Sequence, residues 1–445
     1  MSKIAKIITI GCCLGLGVIA IADAPRLGEI ASSEPVRDNV RVSQTATTNT
    51  SAIDTETIEV QQYQIELEDL PQPYNTESAS KPPNVIAVPS NPTLQVPQGF
   101  KVNVFATDIN RPRWMALTPE GDVVVAESYD NRLRLLQDRD GDGVAEGNKI
   151  FATADNGINQ PLGMAFTDDS FYVANTGNVL RFDYQSGQQE LTGTGEVITQ
   201  LTPGGYNQHW TRNLVISPDG EKLYVSVGSE SNVEPEPLPR ASIQVMNLDG
   251  TERETYAYGL RNPVGMDFHP ITGELYATVN ERDRLGDDLV PDYFTLVQQG
   301  GFYGWPYAYL SPDLLDPRRL KGNESENPDL AAKTITPDVL FQAHSAALGL
   351  QFYDGQQFPE RYRNGAFVAF RGSWNRDKGT GYKIVFIPFG EGDRPLGYYE
   401  DFLTGFLTDP TIPASWARPV GLLVLPDGSL LLAEDGNSVI YRISY

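Results

Sequence analysis

Three histidines stand in the 445-residue chain, His209, His269 and His344. A neutral imidazole titrates near pH 7 and suits general-base work. His209 lies in Asn207-Gln208-His209-Trp210-Thr211-Arg212, just ahead of an apolar run. There it is open to two readings, a base facing a cavity or a hydrogen-bonded loop histidine. His344, in Ala343-His344-Ser345, has the same placement, and His269 before Pro270 reads as a solvated turn residue. The segment 281–288 packs Glu281, Asp283, Asp287 and Asp288 together with Arg282 and Arg284. Such a loop suits bidentate carboxylate recognition, a hard cation held by carboxylates and carbonyls, or plain surface ion pairing. Asp138, Asp140, Asp142 and Glu146 fall at positions 1, 3, 5 and 9 of a loop with Gly143 at position 6. That matches the front of a calcium loop, although Lys149 stands where the bidentate acid belongs. A shortened calcium site and an acidic hairpin turn are the two readings. Arg261, Arg371 and Arg418 head or follow apolar runs. Grouped at one place they would receive an anionic ligand; spread out, they would be ion pairs.

These residues need a scaffold, and a repeat supplies one. Beginning at Gly99, six units each read apolar strand, Pro-Asp-Gly-type turn, strand, loop, strand. Their heads are Trp114-Met115-Ala116, Pro161-Leu162-Gly163, Asn213-Leu214-Val215, Asn262-Pro263-Val264-Gly265, Ala347-Leu348-Gly349 and Pro419-Val420-Gly421. The first four start about 50 residues apart, a period that means stacked sheets around an axis. The expected fold is all-β, a six-bladed β-propeller over 97–445. The strand at Phe100–Phe105 should complete the last blade beside Val439–Ser444 and so remove an exposed edge. Arg111, Gln160, Arg212, Arg261, Ala347 and Arg418 head the units and would line one mouth of the channel. Gly301-Phe302-Tyr303-Gly304-Trp305-Pro306 would wall that mouth with rings.

Two segments precede the repeat. Lys3 and Lys6 followed by the apolar run Ile7–Ala22 read as a signal peptide over 1–22. Cleavage after Ala20-Ile21-Ala22, an uncleaved membrane anchor, and lipid attachment at Cys12 remain alternatives. Both cysteines, Cys12 and Cys13, lie in this segment, so the rest has no disulfide and no thiolate site. Residues 23–96 are acidic and poor in aromatic residues and read as a disordered linker. Acidic residues outnumber basic ones 58 to 34, a net charge of −24. That field argues against nucleic acid as a partner.

Over about 97–445 the chain resembles the soluble quinoprotein glucose dehydrogenase and sorbosone dehydrogenase family. The resemblance rests on Gly259-Leu260-Arg261-Asn262-Pro263-Val264-Gly265, the acidic loop 281–288, Gly301-Phe302-Tyr303-Gly304-Trp305-Pro306, and the placement of His209 ahead of Pro218-Asp219. Phe370-Arg371-Gly372-Ser373-Trp374-Asn375-Arg376 is similar to the sorbosone-type branch. The resemblance implies a cofactor, pyrroloquinoline quinone (PQQ), with calcium. It implies His209 as the base, and Arg261, Asn262, Asp288, Arg371 and Arg418 around the cofactor. It also places an active-site calcium on the backbone carbonyls of Asp283 and Arg284. Two departures stand out: Asp-Arg replaces Gly-Pro in that calcium loop, and Gln208 replaces an Asp before the base. The function expected is an exported, periplasmic or extracellular dehydrogenase acting on a sugar or alcohol and passing electrons to an external acceptor. A non-catalytic propeller binding a glycan or protein, and a calcium-dependent lactonase-type hydrolase, are the competing readings.

Overall fold

A computed structural model describes residues 52–205 and 209–445. The expected signal peptide, the linker up to Ser51, and Gln208 lie outside the described residues. The fold is nearly all β. Six sheets follow one another along the chain, each built on four antiparallel strands, with added edge strands on the fifth and sixth. The first holds Met115–Leu117, Val123–Glu127, Arg132–Gln137 and Gly147–Ala152. The innermost strands of the next four are Met164–Phe166, Leu214–Ile216, Asn262–Phe268 and Ala347–Phe352. The sixth combines Pro419–Val424, Leu430–Glu434 and Val439–Ser444 with Lys101–Ala106 from the start of the repeat. That last pairing is antiparallel, Tyr441 opposite Val104 and Ser444 opposite Lys101, and is the edge closure expected from the sequence.

The innermost strands touch in order, first to second and so on, and the sixth returns to the first. The repeated glycines explain the closeness. A Cβ on Gly421 would stand 2.1 Å from the carbonyl oxygen of Arg113, and one on Gly265 would stand 2.3 Å from that of Leu348. Only a residue without a side chain lets the neighbouring backbone pass there. Between sheets the core is aliphatic and aromatic, with Val125, Val173, Val225, Ala277, Val368 and Leu432 all fully buried.

The expected disorder of 23–96 does not hold for its described part. Ala52–Thr57 pairs antiparallel with Lys101–Ala106 and parallel with Thr93–Val96. Gln62–Tyr63 adds to the outer edge of the fifth sheet beside Tyr399–Leu403. The physical reason is that edge addition draws on main-chain hydrogen bonds, so little apolar content is needed. A few anchors suffice, among them Leu94, Val96 and the stacked pair Tyr63–Tyr399. Among the described residues no helix is long and apolar enough to cross a membrane.

His269 also differs from expectation. It is fully buried, packs on Phe352 and Phe389, and its Nδ1 accepts from the Ile271 and Thr272 amides. Its ring closes the turn rather than facing water.

Candidate active site

Antiparallel pairing sets the start of each innermost strand beside the end of the second strand. Asn262 lies opposite Asn280, Ala347 opposite Phe370, and Pro419 opposite Glu434. Residues just outside these pairs therefore collect at one end of the ring: Arg113, Arg261, Arg371, Arg418 and Asp435. The acidic loop 138–146 joins the third and fourth strands of the first sheet, at the opposite end.

His209 is buried, as is Trp210. Their segment is held from beneath by two arginines: Arg212 donates to the carbonyls of His209, Thr202 and Gly204, and Arg240 to those of Pro203 and Gly204. Proton counting fixes the imidazole. The Ser229 hydroxyl donates its one proton to the Ser231 carbonyl at 2.7 Å, so it accepts from His209 Nδ1–H at 3.2 Å. Nε2 then carries the lone pair. Burial, and then the charge of Arg261, hold the imidazole well below its usual pKa of 6.5. The ring is neutral across the physiological range, as a base must be.

Beside it, Asn262 is buried and its Oδ1 has no hydrogen-bond partner among the described residues. Gly228 lies under both: a Cβ there would stand 2.3 Å from Asn262 Oδ1 and 3.1 Å from His209 Cβ. Arg261 is 2 % exposed and turned inward, donating to the Glu281 carbonyl at 2.6 Å, Asn232 Oδ1 at 2.9 Å and Asp283 Oδ2 at 2.9 Å.

Of the arginines expected around the mouth, Arg371 and Arg418 group together, and they do so with Arg113 and Asp435, which the sequence reading missed. Arg113 and Arg371 both bind the buried carboxylate of Asp435. Arg418 adjoins them; burial, then Arg371, pull its guanidinium from 12.5 to about 10. Among the described residues it has no ion pair, and its Nε is buried without a partner. Two guanidiniums thus bind one carboxylate, and the charge of the third acts on it from nearby. Arg113 also faces the Trp210 ring at 5.2 Å, which joins this cluster to the His209 segment. Arg113 stands two residues from Arg111, which heads its unit, and instead Arg111 stacks on Tyr129. Asp435 directly follows the strand Leu430–Glu434, so a search of strand ends as well as heads could have found it.

Four expectations are corrected. The Asp283 carbonyl, expected to hold calcium, instead accepts from two protein donors, Asn232 Nδ2 at 3.1 Å and Arg318 Nη1 at 2.8 Å. Arg284 has φ +72°, outside the range that a proline at this position allows, so the loop turns differently from a Gly-Pro loop. Its side chain is exposed. Asp288 is directed away from the arginine cluster; it is exposed, pairs with Arg376 at 2.6 Å, and borders a cleft of about 280 Å³ shared with Tyr63 and Leu70. The turn at Arg284 and Gly286 sends it there. Phe302, Tyr303 and Trp305 are buried and form a floor rather than a wall. Trp305 Nε1 donates to the Asn232 carbonyl, and Asn232 in turn orients Arg261 and Asp283. His344 is structural, with Nε2–H directed at the Gly286 carbonyl at 3.0 Å.

The family model described as TrAA12-like matches residues 94–291 and 316–445. The chain belongs to the TrAA12-like family. An uncharacterized protein of Borreliella burgdorferi is 30% identical to it over 365 residues, 79% of this chain and 91% of that one. The pyrroloquinoline quinone-dependent pyranose dehydrogenase of Coprinopsis cinerea is 25% identical over 409 residues, 79% of this chain. The match spans 54% of that enzyme's length, about half. The calcium structure of the Trichoderma reesei carbohydrate-active enzyme of family AA12 superposes with a TM-score of 0.69 at 22% identity, covering 81% of this chain and 99% of that one. The TrAA12-like chain thus shares its fold with that enzyme, and the resemblance read from the motifs holds at this broader family level.

Proposed function

We propose that this protein is a PQQ-dependent dehydrogenase oxidising a sugar or related alcohol, and that its ring of six sheets is a six-bladed propeller serving that chemistry. One observation carries the reading: Arg113, Arg371 and Arg418 gather at the buried carboxylate of Asp435, and Arg113 links that cluster through the Trp210 ring to the segment of the neutral, oriented His209. The cluster has a surplus of two positive charges in a chain of net charge −24. A planar tricarboxylate such as PQQ fits that donor set. The partnerless Arg418 Nε and the bare Gly228 beside Asn262 Oδ1 are what a bound polar ring would use. A metal hydrolase would need inward carboxylates at the same place, where arginines stand.

Arg418, with Arg371 and Arg113 behind it, would hold the carboxylates, and Asn262 would face the ring. Bound there, PQQ would supply the acceptor for the two electrons and the hydrogen leaving the substrate carbon. His209 Nε2 takes the hydroxyl proton, Ser229 keeps Nδ1–H oriented, and burial keeps the imidazole unprotonated beforehand. Pyranose oxidation by the Coprinopsis cinerea relative supports a sugar as substrate. The Lys3-Lys6 segment and its apolar run support export, with electrons leaving to an external acceptor. Asp138, Asp140, Asp142 and Glu146, whose ligand atoms lie within 4.8 Å of one another, are proposed as a structural calcium loop far from the chemistry.

The test is PQQ titration into the purified chain, wild type and His209→Ala. Saturable binding in both, within about threefold, with turnover lost only in the variant is expected. A folded wild-type protein that binds no PQQ refutes the reading, and turnover persisting in the variant removes His209 as the base.

A further inference from the structure

The loop 281–288 has the residues of a cation site, yet protein groups fill the position where a cation would sit. The Asp283 carbonyl points at the Arg318 guanidinium, 2.8 Å from Nη1. Arg318 is not there by chance of rotamer. Its Nε and Nη2 form a two-point pair with Asp316, at 2.9 Å to Oδ1 and 2.8 Å to Oδ2, which leaves Nη1 aimed at the loop. Asp316 is fully buried and also binds Arg282 at 3.1 Å. Although burial opposes its charge, Arg318 and Arg282 keep its carboxyl below the usual carboxylate range. The loop backbone is fixed by further protein groups. Asn232 Oδ1 accepts the Asp283 amide at 3.0 Å, and Asn375 Oδ1 accepts the Arg284 amide at 2.9 Å. A divalent ion placed on the Asp283 carbonyl would meet the Arg318 cation within about 4 Å, a strong like-charge repulsion.

We propose that Arg318 occupies the place of an active-site cation, so that this protein binds its anionic cofactor without calcium at the 281–288 loop. The inference rests on the quinoprotein reading above. The fixed guanidinium, its charge paired with Asp316, keeps an N–H donor on the Asp283 carbonyl at all physiological calcium concentrations, and no ion is needed to order the loop. Asn232, Asp316 and Asn375 then act as positioning residues for that loop.

The experiment is PQQ titration into the full chain, first stripped with chelator and then with excess calcium, in the wild type and in Arg318→Ala. Both are repeated in the Asp140→Ala background, so that the acidic loop of the first sheet does not contribute. The wild type is expected to bind with affinities within about threefold in the two media, and Arg318→Ala to bind about tenfold or more weakly in chelator. A wild type that stays folded in chelator but loses tenfold or more in affinity overturns the inference and leaves the quinoprotein reading standing. Undiminished affinity in a folded Arg318→Ala also overturns it. No binding in either medium overturns both. If Arg318→Ala does not fold, the comparison of the two media in the wild type still decides.

Discussion

Arg418 gives the sharpest test, because its removal should move stability and binding in opposite directions. Its guanidinium is pulled from 12.5 to about 10, first by burial and then by Arg371, with Asp435 offsetting part of the effect. A charge held so far from its ordinary pKa costs the fold about 3 kcal/mol before screening. The side chain is partly exposed, so water screens some of this and about 1–3 kcal/mol is the working range. The sign follows from linkage: the folded pKa is depressed, so the cost is present at every pH below about 10 and is relieved only as pH rises from there toward 12.5. Arg418→Met keeps the apolar stem and removes the charge. Without cofactor, the variant should be more stable to urea than the wild type by about 1–3 kcal/mol at pH 7. Its PQQ affinity should fall by about 1.5–3 kcal/mol, roughly 10- to 150-fold. Matched urea curves and cofactor titrations at one pH read both numbers. A variant that is less stable than the wild type and binds PQQ equally well would show Arg418 to be a structural cation, and the ligand cluster would lose its central member.

Three further outcomes follow, two from the site and one from the loop 138–146. His209 is held well below 6.5 by burial and by Arg261, so the acidic limb of kcat/KM should lie below pH 6.5, since only protonation of the ring at low pH removes the base. Ser229→Asp should set a carboxylate against Nδ1–H and move that limb to higher pH, whereas Ser229→Ala should lower kcat about tenfold without raising the limb. Equal pH profiles for wild type and Ser229→Asp would remove Ser229 from the base. Asp140→Ala should lower Tm in calcium and match the wild type in chelator, because the loss is of an ion-bound state. A deficit that persists in chelator would make the loop 138–146 an ordinary turn held by its own hydrogen bonds, such as Gly141 and Gly143 amides to Asp138.

Local pattern was legible wherever one short stretch carried it. The strand-turn-strand units, the closing pair of Lys101–Ala106 with Val439–Ser444, and the collection of Arg261, Arg371 and Arg418 at one end all follow from periodicity and antiparallel pairing. The segment 52–96 was misread because its composition lacks a core, and composition does not register main-chain pairing to an edge already built by distant residues. At the loop 281–288 the acids were legible but the cation beside them was not, because Arg318, which donates to the Asp283 carbonyl, stands 35 residues away along the chain.

By itself, the sequence determined the all-β repeat, the acidic balance, the candidate base and the arginines at the strand heads, since each depends on residues near one another in the chain. Only the tertiary structure decided what those groups do. It joined Arg113 to Asp435 across 322 positions, set Ser229 against His209, and turned Arg261 inward onto Asp283. Closing a ring brings its first and last units into contact, and the charge, tautomer and ligand capacity of a buried group depend on the partners that closure delivers.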